Sequence, residues 1–547
     1  MTTLVRDYFW TLRYLTPRQL VSRVSRPFLR SFPCRRVAED TESAPRGVYL
    51  AVSDIAVSWE GVHRSGGATK ATFLNLERRF ASEVDWSFID HGLLWNYHLH
   101  YLNWLNRYNG DSSELLGNYA KHGHGAGSSL DPYPTSLRIL NTAKAFATGR
   151  IEPSASASAL VRKDTVNLCR KLEYHIGANH LLENGFGLLW GGFFIDEPDA
   201  WNIGKRIVLK EMREHILDDG GHFERSPMYH AIILWRLLDT INLLRGSNVD
   251  AGDIDEGQTH GVEQILRRYA SRMLAWTQAF PWSGEGEHRS GNVNDSAPGM
   301  TPSRQELVDY ATRLGLDVAL GTLGASGYRV LTGPDSLKLL ADVGAVGPDY
   351  QPGHAHADTL AFELYHGETP ILIDTGTSTY EGCPRRAWER STRAHNTVAI
   401  GRFDSSEVWS TFRVARRARV TIREDRQQRL AASHDGYRSR FGITHTRTWE
   451  IGNDTIAIID DLAGPGAKKL SGTASFILAP GTECHLMDNT AFVVGPVGLT
   501  FAGASSIRPE QVEVAAGFNI LMKTTAIRVR FRNRLVTTIS ANLGKKI

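Results

Sequence analysis

The spacing of apolar positions divides the chain in two. From about residue 85 to about residue 320, apolar and aromatic side chains recur every three to four residues, the period of amphipathic helices. "DWSFIDHGLLWNYHLHYLNWLNRY" predicts one long helix, and "PTSLRILNTAKAFATG" another that stops at its glycine. "SALVRKDTVNLCRKLEYHI", "GLLWGGFFI", "IGKRIVLKEMREHILD", "GVEQILRRYASRMLAWTQAF" and "SRQELVDYATRLGL" continue the series. In "SPMYHAIILWRLLDTINLLRG", Ser226 is the expected N-cap, Pro227 the first helical residue and Gly246 the stop. Many helices of similar length joined by short loops imply stacked helical hairpins, as a solenoid or a closed toroid.

Beyond about residue 325 the period falls to two. Short alternating segments such as "YRVLTG", "TLAFELYHG", "TPILIDTG", "HTRTWEI" and "TIAIIDDL" are separated by turn residues. That pattern predicts antiparallel strands in a sandwich or a stack of sheets. The change falls near "GTLGASG", Gly321 to Gly327. The expected organisation is a multidomain α+β chain: an N-terminal arm (1–60), an (α/α) toroid of helical hairpins (61–322) and an antiparallel β-sandwich (323–547).

The arm stands apart in composition. In "MTTLVRDYFWTLRYLTPRQLVSRVSRPFLRSF", six arginines interleave with aromatic and aliphatic residues, and Asp7 is the only acid. This pattern suits a membrane-surface helix, although packing on the body of the protein is the preferred reading. The stretch lacks the apolar core and cleavage site of a secretory signal, so a cytoplasmic or membrane-peripheral location is expected. No apolar run is long enough to span a membrane. The 547 residues carry a net charge of +3, which leaves no footprint for nucleic acid. The four cysteines, Cys34, Cys169, Cys383 and Cys484, form no CxxC pair and are expected as isolated thiols.

Four stretches concentrate polar chemistry. "GANHLLENG" (177–185) reads as a polar turn between helices, crowding Asn179, His180, Glu183 and Asn184. In "DDGGHFERSPMYH" (218–230), Tyr229 falls in the first turn of the Pro227 helix, where the positive end of the helix dipole would ease loss of its proton. "GHAHAD" places His354 and His356 two residues apart ahead of a strand, with Asp374 in "ILID" and His395 in "RSTRAHNTV" farther on. Two histidines and a carboxylate are suitable zinc ligands; a catalytic histidine beside a ligand fits the same spacing. The HxHxDH motif of metallo-β-lactamase-like hydrolases fails here, because Thr359 stands where its last histidine belongs. Finally, "FPWSGEGEHRSGNVNDSAPG" (280–299) offers Glu285 and Glu287 as an acid pair or a closing loop.

Taken together and in this order, "NHLLENG", "GGHFERSPMYH", "GNVNDSA", "GHAHADTLAFEL", "ILIDTGTSTYEG" and "RSTRAHNTV" resemble the heparinase II/III-like polysaccharide lyases, which include oligoalginate lyases. The resemblance implies an (α/α) toroid followed by layered antiparallel sheets. It also implies cleavage of an acidic, uronate-containing polysaccharide by β-elimination, leaving a 4,5-unsaturated end. Asn179 and His180 would neutralise the uronate carboxylate. Tyr229 would remove the C5 proton, and His354 would act as a second base. His356, Asp374 and His395 would hold a structural zinc ion. Glu183, His230 and Glu285 are expected to contact substrate. The arm looks like that of members linked to surface-polysaccharide assembly, which favours a role in exopolysaccharide processing. Two other readings compete: a hydrolase using two of Asp218, Asp219, Glu285 and Glu287, and a non-catalytic polysaccharide-binding protein.

Overall fold

The computed structural model of the protein describes residues 3–29, 47–55, 61–65, 67–81, 83–152, 155–247, 254–281, 291–488 and 490–541. Two arm helices, α1 (Thr3–Arg13) and α2 (Pro17–Leu29), come first. The body then adds α3 (Leu93–Tyr101), α4 (Ser112–Asn118), α5 (Pro132–Ala147), α6 (Ala155–Arg170), α7 (Ala178–Phe194), α8 (Pro198–His215), α9 (Pro227–Gly246), α10 (Glu256–Ala279) and α11 (Arg304–Arg313). Neighbouring helices pair as hairpins: α7 lies against α5 and α8, and α9 against α10 and α11. The glycines of α7 and α8 explain how closely these two helices lie. A Cβ on Gly204 would fall 2.5 Å from the backbone nitrogen of Leu189, and one on Gly192 would fall 2.4 Å from that of Trp201. Glycine removes the side chain that would hold the two backbones apart.

Local signals set several helix boundaries, the Ser226 cap among them as expected. Ser226 caps α9, its hydroxyl accepting from the Tyr229 amide at 3.3 Å. Ser303 and Glu306 form a reciprocal capping box on α11. Elsewhere tertiary packing overrides the pattern. The long helix expected over residues 85–108 is interrupted at Leu102, which is left-handed at φ 55 and fully buried, and a 3₁₀ turn, Asn103–Arg107, follows. Strands Gly61–Ser65, Ala68–Phe73 and Leu76–Phe80, placed with the toroid on sequence grounds, form a small antiparallel sheet. Its alternating Thr69, Ala71 and Phe73 are buried.

The C-terminal half is antiparallel throughout. A four-stranded sheet runs in the order Tyr328–Thr332, Leu337–Asp342, Phe362–His366, Thr369–Leu372. A ten-stranded sheet is organised around a long hairpin, Val497–Gly517 with Ile520–Ser540. Register shifts near Ala504 bend this hairpin. Each half has its own apolar core, so the architecture is a helical toroid followed by a β-sandwich.

Among the cysteines, Cys383 and Cys484 are free. Cys169 is disulfide-bonded, a correction to the expectation of isolated thiols, because pairing between distant cysteines leaves no local spacing signal. Cys34 lies outside the described residues. No helix among the described residues is long and apolar enough to cross a membrane.

Candidate active site

A cavity of about 820 Å³ opens between the helical and sheet halves. Asn179, His180, Tyr229 and His354 all line it, so the four expected catalytic residues share one site. Asn179 and His180 sit in the first turn of α7, not in an inter-helix turn: "NHLLEN" is helical from Ala178 onward. The reversal that starts this helix is made by Gly177 (φ 73) and Ala178 (φ 50). Tyr229 enters from the first turn of α9, and His354 from the loop ahead of strand Phe362–His366.

The Tyr229 and His354 rings stack with centroids 3.8 Å apart and planes 15° from parallel. The Tyr229 hydroxyl meets the Tyr380 hydroxyl at 3.1 Å. Beneath them lies Glu224, whose side chain is almost wholly buried. One carboxylate oxygen faces His354 Nδ1, and the other accepts from the Asn179 amide at 3.4 Å. Burial alone would raise the pKa of Glu224, but the His354 ring outweighs it and holds the acid down at about 2. A carboxylate on Nδ1 keeps the proton on that nitrogen and leaves Nε2 as the reactive face of His354.

Tyr229 departs from expectation. Burial, and then the neighbouring Tyr380 and Tyr133, push its pKa well above the usual phenol value. Desolvation of the phenolate outweighs the helix dipole at this depth. The phenol is therefore held protonated, and so is that of Tyr380, again chiefly by burial. On the opposite wall His180 packs on Tyr133 at 4.8 Å, and its Nδ1 lies 3.1 Å from Glu173. Burial opposes a charge on His180, but Glu173 reverses the balance and raises its pKa. Asn184 Nδ2 in turn donates to Glu173 at 3.0 Å.

The expected substrate contacts fare differently. Glu183 is buried under the cavity wall, 2.6 Å from Arg236 Nε. It is Arg236, not Glu183, that lines the cavity. His230 is turned into the helical core, against Thr277 Oγ1 (2.9 Å) and the Trp276 ring (4.3 Å). One residue after Tyr229 on a helix, it points about 100° away. Glu285 and Glu287 lie outside the described residues. Sequence reasoning missed Glu224, Tyr380 and Arg236. Glu224 and Tyr380 were within the quoted "GGHFERSPMYH" and "ILIDTGTSTYEG" motifs, while Arg236 carried no local signal.

The two halves are joined behind the site by Asp295. It accepts from Arg386 Nη2 at 2.7 Å and from Thr377 Oγ1 at 3.0 Å, and meets His356 Nε2 at 2.8 Å. Its own amide donates to the His354 carbonyl at 3.1 Å, and its carbonyl accepts from Ser226 Oγ at 2.7 Å. Asp295 thereby braces both His354 and the start of α9.

His356, Asp374 and His395 are buried close to this bracket. The rings of His356 and His395 are 5.3 Å apart. His356 Nδ1 and His395 Nε2 are buried without a hydrogen-bond partner, and both are of the donor type zinc takes. Asp374, however, is turned onto His395 Nδ1 at 2.7 Å. In that position it orients a ligand histidine rather than serving as a third ligand. Among the described residues no three His, Cys, Asp or Glu side chains form a group that could hold a metal ion. The two imidazoles fit a metal; the carboxylate as placed does not.

Residues 318–542 match the family model "Heparinase II/III-like, C-terminal". A heparin-sulfate lyase of Bacteroides stercoris is 22% identical over 364 residues, covering 58% of this chain and 48% of that protein. The chain thus spans about half the length of this curated relative. Among solved structures, a heparinase III gene product superposes with a TM-score of 0.57 at 17% identity, over 84% of this chain and 79% of its own. The heparan sulfate lyase of Pedobacter heparinus gives 0.54 at 15% identity, over 85% and 79%. These likenesses establish a shared two-part fold, and the sheet half, residues 318–542, is similar to the C-terminal domain of the heparinase II/III-like proteins.

Proposed function

We propose that the protein is a polysaccharide lyase that cleaves a uronate-containing polymer by β-elimination. The observation that carries the reading is the meeting of a carboxylate-anchored imidazole, His354, with a protonated phenol, Tyr229, in one cavity. Elimination needs a base for the C5 proton, an acid for the departing O4 and donors for the charge that gathers on the carboxylate. His354 Nε2 takes the C5 proton. The C5–H electrons become the C4–C5 double bond, and the C4–O4 bond breaks. Tyr229 gives its proton to O4. Asn179 and His180 hold the uronate carboxylate, with Arg236 adding positive charge. Return of the proton from His354 to the Tyr229 oxygen after product release resets the site, and no water is consumed. This assigns Tyr229 the acid half of the chemistry, in keeping with its raised pKa.

Among the described residues the hydrolase reading finds no carboxylate pair at the cavity. Asp219 is held by the amides of Gly221, Gly324 and Ser326 at 3.0, 2.8 and 2.9 Å, away from the cavity. Glu381 is the one carboxylate among the described residues lining the cavity. The polymer we propose is an acidic one made by the cell for its own surface, in keeping with the arginine-rich arm. We also propose a structural zinc ion held by His356 Nδ1 and His395 Nε2; it would stiffen the loops behind His354 and take no part in the elimination.

The test is ultraviolet absorbance of the unsaturated product against a panel of uronic polymers. Rising absorbance supports the lyase. New reducing ends without absorbance support the hydrolase, and neither signal supports a binding protein.

A further inference from the structure

The arm is not an appendage. Five of its residues, Tyr8, Thr11, Leu12, Leu15 and Arg23, line the same cavity as Tyr229 and His354. Helix α1 is fixed to the sheet half: Tyr8 packs on Trp409 at 4.9 Å, Thr11 Oγ1 accepts from Trp409 Nε1 at 3.2 Å, and Arg6 pairs with Glu407 at 3.3 Å. Helix α2 is fixed to the helical half: Arg18 pairs with Glu211 at 3.2 Å and lies over the Tyr174 ring at 4.2 Å. The arm therefore crosses from one wall of the cleft to the other.

Gln19 ties this crossing to the catalytic loops. It is almost completely buried. Its Oε1 accepts from the Thr16 amide at 3.0 Å, and the Gln19 amide donates back to Thr16 Oγ1 at 3.3 Å, a capping box that starts α2. The side-chain Nε2 donates to the Ile176 carbonyl at 3.0 Å and to the Tyr350 carbonyl at 3.3 Å. Ile176 is three residues before Asn179, and Tyr350 is four before His354. One amide thus fastens two of the three segments that deliver catalytic side chains, those of Asn179 and His354, and fastens them to the arm.

We propose that the arm closes one end of the cleft and makes the protein act at chain ends and on short oligosaccharides rather than within a polymer. The proposal rests on the lyase reading and names its substrate form. A polymer cleaved internally must run past the catalytic residues in both directions. A strap bonded to both walls and lining the catalytic cavity leaves one direction blocked. The cavity's size agrees: about 820 Å³ lies within the range of about 300–1,000 Å³ usual for pockets that enclose a small ligand.

The test compares the wild type with a Tyr8→Ala/Leu12→Ala double variant and with Gln19→Ala, following product size and solution viscosity on a polymer that yields ultraviolet absorbance. The wild type is expected to release only the smallest unsaturated product from the first time point, with viscosity falling no faster than conversion. The variants are expected to release mid-length oligosaccharides several-fold more abundantly at early times. Mid-length products from the wild type at the outset, or folded variants with an unchanged product pattern, overturn the proposal. Binding provides a readout that needs no turnover. By calorimetry, wild-type affinity for an oligosaccharide ladder should level off after a few sugars and keep rising with length in the double variant; steady growth in the wild type overturns the proposal. Absence of absorbance from every polymer sinks the lyase reading instead, and is distinguished by leaving the calorimetric plateau in place.

Discussion

The imidazole of His354 lies face to face with the phenol ring of Tyr229, centroids 3.8 Å apart. One residue comes from the first turn of a helix in the N-terminal half, the other from a loop of the sheet half. Neither half alone contains the pair, so the site exists only while the two halves are docked.

Tyr229→Phe keeps the stacked ring and removes one hydroxyl, whose protein partner is Tyr380. Stability should change by about 1 kcal/mol or less. Turnover should fall by about 10²–10⁴-fold while affinity for the polymer survives. If Tyr229 is the acid, the loss should shrink on a synthetic substrate whose O4 carries an aryl leaving group, since that group departs without protonation. A loss of equal size on both substrates would make Tyr229 the base instead.

Glu224→Gln tests the anchor of His354. Loss of the carboxylate should lower turnover by about 10–10³-fold, because the imidazole loses the partner that fixes its tautomer and orients its ring. A second consequence concerns acid stability. The pKa of Glu224 is depressed in the folded protein, from 4.5 to about 2. Its contribution is therefore fully present above about pH 4.5 and is lost as the pH falls toward about 2. Unfolding measured across that window should depend less steeply on pH in the variant than in the wild type. Equal slopes would show that Glu224 is not held ionised by His354.

Glu183→Ala should act on stability before it acts on substrate choice. It leaves Arg236 buried without the carboxylate now 2.6 Å away, a loss of about 3–5 kcal/mol where a buried pair is broken. Replacing both residues by leucine should cost less than the single change. A Glu183→Ala protein that melts like the wild type and differs only in substrate preference would restore the role expected from sequence.

For the metal, elemental analysis of purified protein should find zinc, and His395→Ala should lose it. Chelator should lower the melting temperature of the wild type but not of His395→Ala. Metal-free protein whose melting is indifferent to chelator would leave the orphaned nitrogens of His356 and His395 to be explained by protein contacts alone.

Where neighbours in sequence determine the outcome, the chain was legible. The Ser226 cap and the two-residue alternation of the sheet strands stand where the pattern put them. The four residues Asn179, His180, Tyr229 and His354 meet as the motif resemblance implied. What failed did so for non-local reasons. "GANHLLENG" looks like a turn because Asn179 and His180 face a cavity and Glu183 and Asn184 meet buried partners outside the segment, yet it is helical from Ala178 onward. Tyr229 was expected to ionise readily from its place at a helix start, but burial against Tyr380, 151 residues away, governs it. Glu224 reaches His354 across 130 residues, and Gln19 reaches Tyr350 across 331. No spacing rule covers such separations.

Whether bond cleavage consumes water separates elimination from hydrolysis. A uronic oligosaccharide digested in heavy-oxygen water and analysed by mass spectrometry decides this directly. Elimination predicts two products whose masses sum to that of the substrate, neither carrying heavy oxygen, with an ultraviolet-absorbing unsaturated ring on one of them. Products that together exceed the substrate by one water, with heavy oxygen at the new end and no absorbance, would contradict it.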